Sequence, residues 1–234
     1  MVNDQFDKSL LKAAACLFYC MVFISICTGC SLKKTPYQEI IHKKQKDTIL
    51  NSINGLYPDR FKAIHRVILT LSGKDYVLNG YLSVNRPNRE FKLIAQNDLG
   101  GIIFDVHYIE NIEQQIHNNL KSIKNEWLIK SLLRDLKTLY LLEPCSSDTL
   151  FLDQQGNFIL SREQGILKEE LIFKPFKEQP RYQLYKIRHL ENRKLVYQVD
   201  FEYGTKGNIL YPEFIFIKDT RMRYSLRINI QYFM

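Results

Sequence analysis

The residue with the clearest chemical potential in this sequence is Cys30, because it follows a long apolar run that ends in small residues. The run extends from Leu10 to Gly29, with Lys8 just before it and Lys12 at its start. A positive start, an apolar stretch and a small-residue end are typical of a secretory signal peptide. A cysteine directly after such a stretch offers a thiol for modification next to an extended backbone that a peptidase can grip. The sequence therefore predicts export of the chain and chemistry at the Cys30 sulfur.

The tripeptide Thr28-Gly29-Cys30 resembles the lipobox of bacterial lipoproteins, in which diacylglycerol is attached to the cysteine sulfur before cleavage. Cys27 stands where that family usually has leucine, but the spacing is kept. The resemblance implies a leader over residues 1–29, an acyl group such as palmitate on Cys30, and a lipid anchor. Two alternatives stay open. One is an uncleaved transmembrane anchor, since the run approaches the roughly 20 apolar residues that span a bilayer; the other is ordinary secretion.

Composition agrees with an exported, membrane-bound chain. Cys16, Cys20 and Cys27 lie in the predicted leader, so only Cys30 and Cys145 remain afterwards and no disulfide framework is expected. The leader's charged residues cancel, which leaves the formal net charge of +8 with the rest of the chain. A basic surface on a lipid-anchored protein is attracted to anionic headgroups. We therefore predict a membrane partner and no nucleic acid, which an exported protein rarely meets.

Catalytic and metal-binding motifs are not found in the sequence. There is no Gly-x-Ser-x-Gly, no Walker loop and no His-Glu-x-x-His. The five histidines stand far apart without the spacing of metal ligands. Asp98, Asp105 and Asp135 are interpreted as turn, strand-end and helix-face carboxylates rather than an acid-base pair. We therefore predict no enzymatic activity, no metal and no cofactor; an enzyme acting on a lipid is the least favoured alternative.

Periodicity predicts a mainly β domain over residues 61–234, preceded by a tether over residues 30–60 that leads into a short helix or turn. Short segments alternate apolar and polar residues between turns, and consecutive early strands leave no room for a crossover helix, which indicates antiparallel pairing. Residues 109–122 fit either a strand pair or a helix. One helix is predicted over residues 125–142, where leucines recur at helical spacing at positions 128, 132, 136 and 139.

Ten or so strands of this kind imply a mainly β (α+β) fold, a curved antiparallel half-open β-barrel with one to three helices as a lid. Gly80 is predicted to mark a bend or bulge, and residues 167–173 are predicted to form an edge strand because they mix charged and apolar residues. In the last strand, the residues predicted to share the apolar side are Tyr224, Leu226, Ile228, Ile230 and Tyr232. Periodicity leaves open whether the interior is filled or hollow.

The segment from Phe91 to Val106, preceded by Gly80 to Val84, resembles the strand-loop-strand core of the LolA/LolB family of lipoprotein carriers and acceptors. Asp135-Leu136-Lys-Thr-Leu139 stands where a related group of bacterial lipoproteins has an Asp-Leu-x-x-Leu run. The closing hairpin that begins at Pro212 is also similar. The resemblance spans roughly residues 61–232 and implies an apolar interior that receives acyl chains.

The resemblance also implies a membrane-contact residue. In the acceptor, a leucine in an Asn-Pro-Leu-Gly loop projects from the barrel and touches the membrane. The matching loop here is Asn97-Asp98-Leu99-Gly100, so that role falls on Leu99, although Asp98 replaces the proline and places a charge beside it. The alternative is that Leu99 folds back into the core.

By the same resemblance, the protein is expected on the periplasmic face of the outer membrane. Ser31 after Cys30 favours sorting to that membrane. The implied cargo is a lipid or an acylated protein, and the implied partner is a periplasmic carrier or an inner-membrane complex. The alternative from another class is a structural or assembly lipoprotein, with a filled core, that supports an envelope complex.

Overall fold

The computed structural model describes residues 38–39, 43–54, 57–110, 115–118, 126–142, 148–175, 182–206 and 209–234. Every described residue lies within the unit formed by residues 37–234. The predicted leader over residues 1–29 and the predicted lipidation site Cys30 fall outside the described residues. Both stay predictions, as does the boundary between tether and β domain.

Thirteen described strands form one sheet in which every pairing is antiparallel. In chain order they are β1 (Gln38–Glu39), β2 (Arg60–Leu71), β3 (Lys74–Asn85), β4 (Glu90–Gln96), β5 (Ile102–Ile109), β6 (Gln115–Asn118), β7 (Thr149–Leu152), β8 (Phe158–Gln164), β9 (Leu167–Pro175), β10 (Tyr182–Glu191), β11 (Lys194–Lys206), β12 (Ile209–Asp219) and β13 (Tyr224–Phe233).

The sheet is open, and its strand order is β1-β7-β8-β9-β10-β11-β12-β13-β2-β3-β4-β5-β6. The last strand of the chain, β13, pairs with β2 and so joins the early meander to the late one. The predicted half-open antiparallel barrel is confirmed, with more strands than the ten or so expected. The hairpin from β2 to β3 turns through Ser72 and Gly73, whose φ angles of 51° and 76° fit the tight turn that matches strand twist.

Two described helices lie against this sheet, α1 (Lys43–Asn54) and α2 (Glu126–Tyr140). Helix α1 buries Ile49 completely in the core and contacts β10. Helix α2 buries its leucine stripe: of the four predicted leucines, Leu128, Leu136 and Leu139 belong to the core and Leu132 is partly buried against it. Leu133, which widens the stripe, is also in the core. Neither described helix is both long and apolar enough to cross a membrane.

Two predictions about individual strands were wrong. Gly80 does not mark a bulge, because β3 pairs with both β2 and β4 through this residue without a register shift. Strand β9 is not an edge, because it lies between β8 and β10. Its successive residues Leu171, Ile172 and Phe173 are all buried, so both faces of β9 are covered. Because both faces are covered, the sequence of β9 shows little of the apolar–polar alternation that marks a half-exposed strand.

The prediction for the end of β13 was also wrong. The register with β2 shifts between Ile230 and Tyr232, which reverses the direction of the side chains that follow. Tyr232 is therefore 43% exposed and Phe233 is buried instead. Strands β1 and β7, which are two and four residues long, were not predicted.

Candidate functional site

An apolar cavity lies between helix α2 and the concave face of the sheet. Its volume is about 70 Å³, and its walls come from α2 and from six strands, β2 to β5, β12 and β13. The eighteen lining residues are His65, Val67, Leu69, Leu78, Leu93, Ala95, Phe104, Val106, Ile129, Leu132, Leu133, Asp135, Leu136, Leu139, Tyr140, Ile217, Leu226 and Ile228. Apart from His65, Asp135 and Tyr140, every lining side chain is hydrocarbon, and cavities of this kind hold apolar groups rather than water.

His65 is the polar side chain that strand β2 contributes to this cavity. It is 4% exposed, and burial lowers its pKa to about 4, so the ring is neutral at physiological pH. Its Nδ1 makes no hydrogen bond to any residue that the structure describes. Gly80 faces it across the β2–β3 pair, where a Cβ atom would come within 2.1 Å of His65 Nε2. The glycine therefore makes room for the buried imidazole.

A polar clamp, formed by Arg134, Asp135, Asp219 and Tyr224, joins helix α2 to the β12–β13 hairpin. The Arg134 guanidinium donates from Nη2 to Asp135 Oδ1 at 2.8 Å and to the Tyr224 hydroxyl at 2.9 Å. Tyr224 in turn donates to Asp135 Oδ2, and Arg134 Nη2 lies 2.9 Å from Asp219 Oδ2. The clamp thus fixes α2 in one position on the sheet through directional contacts.

Burial governs the electrostatics of the polar clamp. Asp135 and Asp219 are each 1% exposed. Burial raises the pKa of Asp135, and the neighbouring Arg134 and the Tyr224 hydroxyl offset part of that rise. Burial and the Asp135 carboxylate raise the pKa of Tyr224, which keeps its hydroxyl protonated as a donor. Burial opposes the charge of Arg134, but the Asp135 carboxylate raises the pKa of Arg134 above its ordinary value.

Aromatic rings fill the interior near the start of β2 and the ends of α2 and β13. Phe61 stacks on Tyr57 at 5.2 Å between ring centroids and on Phe233 at 5.1 Å. Tyr140 approaches Tyr57 edge-on at 5.5 Å, and Tyr211 stacks on Phe233 at 5.7 Å. These contacts bury the C-terminal end of α2 beyond the cavity.

Leu99 projects from the loop between β4 and β5 and is 95% exposed, which excludes its folding back into the core. The loop has a defined shape, because Asn97 Oδ1 accepts hydrogen bonds from the backbone amides of Leu99 at 3.1 Å and Gly101 at 2.8 Å. Asp98 accepts a hydrogen bond from Asn79 Nδ2 at 3.3 Å, which holds its charge toward β3. The membrane-contact role of Leu99 stays a prediction.

The three aspartates singled out from the sequence do not come together at one place. Asp98 is exposed in the β4–β5 loop, and Asp105 lies in the middle of β5 rather than at a strand end. Asp135 is on helix α2 as predicted, but it is buried in the polar clamp. Among the described residues, no three His, Cys, Asp or Glu side chains form a group able to hold a metal ion.

His65 and the buried position of Asp135 were not predicted, although the sequence carries a signal for both. His65 falls on the same face of β2 as Phe61, Ala63 and Leu69, which are buried. Asp135 falls seven residues after Leu128, on the apolar face of the helix. A polar residue at a core position of an amphipathic pattern therefore marked each of them.

No family model and no curated protein matches this chain. Two of the solved structures that resemble it are a DUF1329 family protein from Desulfovibrio piger and a "putative outer membrane lipoprotein-sorting protein domain from Vibrio parahaemolyticus". The first has 12% identity and a TM-score of 0.53, and the match covers 82% of this chain and 91% of that one. The second has 12% identity and a TM-score of 0.49, and covers 80% and 92%.

The comparison with the Desulfovibrio protein extends over most of both chains, and at 12% identity it bears on the fold alone. The fold and the cavity define the structural class of this protein, which is an open antiparallel barrel covered by a helix. The fold that the resemblance implied, a half-open antiparallel barrel with a helix as a lid, is therefore confirmed.

Proposed function

We propose that this protein is a lipid-anchored protein on the periplasmic face of the outer membrane of a bacterium, which binds acyl chains of a lipid or of a lipidated protein under helix α2. The observation that carries the proposal is the hydrocarbon lining of the cavity between α2 and six strands. The open barrel with a covering helix, and the lipobox-like Thr28-Gly29-Cys30, support it. The proposed mechanism is non-catalytic: the acyl chain is transferred into the cavity and later released at the membrane.

Cavity size indicates how binding proceeds. Ligand pockets of proteins usually measure about 300–1,000 Å³, whereas this cavity measures about 70 Å³ and holds only a few carbon atoms. An acyl chain would therefore take the place of the α2 leucines against the sheet. Burying each methylene contributes about 0.8 kcal/mol, and burying each leucine contributes about 1.5–3 kcal/mol. Burying a chain of about fourteen methylenes thus contributes about as much free energy as burying the four core leucines of α2, so exchange of one for the other is close to balanced.

The small volume also favours the second candidate, a structural lipoprotein whose core is filled permanently. The two functions differ in whether lipid accompanies the protein. We expect an organic extract of the purified full-length protein to contain a noncovalent lipid on mass spectrometry, and the protein to take up a fluorescent fatty acid. Absence of both would favour the scaffold.

A matched pair of variants makes that measurement specific to the cavity. Ala95 lines the cavity and is buried, so Ala95→Leu adds three carbon atoms to its interior. Lys92→Leu places the same side chain at an exposed position of the same strand. Ala95→Leu should reduce co-purifying lipid and fatty-acid uptake, while Lys92→Leu should leave both unchanged. Equal uptake by the two variants would place the lipid elsewhere.

The anchor is tested separately. Cys30→Ala should produce an unlipidated precursor that no longer incorporates radioactive palmitate. Continued labelling of this variant would show that Cys30 is not the acceptor, without bearing on whether the cavity holds a lipid.

A further inference from the structure

Three neighbouring hairpin tips lie at one edge of the sheet, and backbone hydrogen bonds join them. The Asn192 amide in the β10–β11 tip donates to the Ile166 carbonyl in the β8–β9 tip at 3.0 Å. The Thr220 amide in the β12–β13 tip donates to the Val196 carbonyl of β11 at 3.0 Å. We call this surface the hairpin rim; it comprises residues 165–167, 192–195 and 220–223.

The hairpin rim exposes large apolar side chains. Ile166 is 58% exposed, and Leu167 and Leu195 are each 45% exposed. Gly165, with a φ of 62°, takes the first central position of its two-residue turn, which leaves Ile166 at the outermost point of the hairpin. A single exposed apolar residue is ordinary, but three on adjoining tips that polar residues surround indicate an interaction surface.

Basic side chains accompany these apolar residues. Arg193, Lys194, Arg221 and Arg223 are all exposed at the same tips. Arg193, Lys194 and Arg223 form no ion pair with any residue in the described part of the chain, and Arg221 lies 3.8 Å from Glu191. Two further carboxylates stand beside the rim: Glu163 is exposed and lies 3.9 Å from Lys168, and Asp219 is buried in the polar clamp. The tips therefore carry an excess of positive charge.

The backbone at two of these arginines is in an unfavourable conformation. Arg193 and Arg223 have φ angles of 65° and 56°, in the left-handed region that glycine tolerates best. A hairpin turn of this type favours Asn-Gly, whereas the β10–β11 turn is Asn192-Arg193. A residue held in a sparsely populated backbone region suggests that its side chain has a role.

We propose that the hairpin rim is a docking surface for an anionic lipid bilayer, with Ile166, Leu167 and Leu195 entering the interface and the four basic side chains contacting lipid phosphates. Apolar side chains flanked by arginine and lysine are the combination that interfacial membrane binding uses. A second copy of the chain fits poorly, since rim-to-rim contact would bring eight positive side chains together. The inference rests on the proposed function only in placing the protein beside a membrane.

The single tryptophan of the chain, Trp127, makes a site-specific test practical. Ile166→Trp places a second fluorophore on the rim, and Phe214→Trp places one on β12, where Phe214 is 43% exposed. Each full-length variant is held by its own N-terminal segment on vesicles of brominated phosphatidylcholine, with or without about 30% phosphatidylglycerol. Wild-type emission gives the contribution of Trp127 to be subtracted.

We expect brominated lipid to quench the tryptophan at position 166 at least about twofold more than the one at 214, and only on vesicles that contain phosphatidylglycerol. Adding Arg193→Glu and Lys194→Glu to the Ile166→Trp variant should reduce that quenching about tenfold, because two of the four side chains proposed to contact phosphates reverse their charge. Equal quenching at both positions, or quenching at 166 that ignores lipid charge, would overturn the proposal. So would a blue shift at 166 without quenching, which would indicate a protein partner or a second copy. None of these results depends on whether the cavity holds an acyl chain.

Discussion

Helix α2 is held on the sheet by two contacts of opposite character. Over the cavity of about 70 Å³, leucine and isoleucine side chains of the helix face hydrocarbon from six strands, and this contact has no directional component. At one end of β12 and β13, the polar clamp binds the same helix through the hydrogen bonds of Arg134 and Asp135 to Tyr224 and through the ion pair of Arg134 with Asp219. Burial of a leucine side chain can be exchanged for burial of another hydrocarbon at little cost in free energy. A buried ion pair cannot be exchanged in this way, because loss of one charge leaves the other without a partner.

The difference suggests a division of labour along one helix. Under the proposed function, the apolar contact is the part that an acyl chain would replace, and the polar clamp is the part that would return α2 to the same position afterwards. On this view, variants of the clamp should affect stability and variants of the apolar contact should affect both stability and uptake.

Breaking the clamp should have the largest effect. Asp135→Ala leaves Arg134 and Tyr224 without their shared acceptor, and removal of one member of a buried ion pair costs about 3–5 kcal/mol in free energy of unfolding. Denaturant titration followed by Trp127 fluorescence measures this loss. Asp98→Ala, at an exposed carboxylate, is the control and should change stability by less than about 0.5 kcal/mol. Similar losses for the two variants would mean that the clamp does not hold α2.

Weakening the apolar contact should separate stability from uptake. Leu133→Ala removes a cavity-lining leucine that is 6% exposed, which should cost about 2–4 kcal/mol because a buried void remains. The enlarged cavity should raise fatty-acid uptake per folded molecule, which is measured with a fluorescent fatty acid in buffer without denaturant. An uptake that falls in proportion to stability would contradict the exchange of leucine for acyl chain.

His65 should make the apolar side sensitive to acid. Because its pKa is about 4 when folded and about 6.5 when unfolded, the unfolded chain binds more protons between these values. The stability that depends on a neutral His65 is fully present above about pH 6.5 and is lost as the pH falls toward 4. At pH 4.5 the free energy of unfolding should therefore be lower by about 2–3 kcal/mol. His65→Leu should remove this part of the pH dependence. Asp135, which faces the same cavity and has a raised pKa, acts in the opposite direction and is present in both proteins. Parallel pH profiles for the two proteins would refute a buried neutral imidazole.

The smallest effect on stability is expected at Leu99. Leu99→Asp changes a side chain that is 95% exposed, so the free energy of unfolding should stay within about 0.5 kcal/mol of the wild-type value. If the loop contacts the membrane, the same variant should release acyl cargo to acceptor vesicles more slowly, measured by transfer of a fluorescent fatty acid. Unchanged transfer would leave Leu99 as an ordinary exposed residue.

Local periodicity predicted most of the strands, the leucine-striped helix and the antiparallel sheet, because each depends on side chains close in sequence. It failed where a single residue changes the register, as at the shift before Tyr232, or where both faces of a strand are covered, as in β9. The polar clamp joins Asp135 to Tyr224 across 89 residues, and no local pattern reports such a pairing. The size of the cavity depends on how these distant pieces pack, so the sequence left it open.

The open sheet ends at two of its three shortest described strands. They are β1, with two residues, and β6, with four, which is also the length of β7. A long bare edge would offer a row of unpaired amides and carbonyls on which another molecule could build, which is how fibrils start. Edge strands as short as these offer an incoming strand few backbone groups for hydrogen bonding. Many copies can therefore be crowded together in two dimensions and still remain separate molecules.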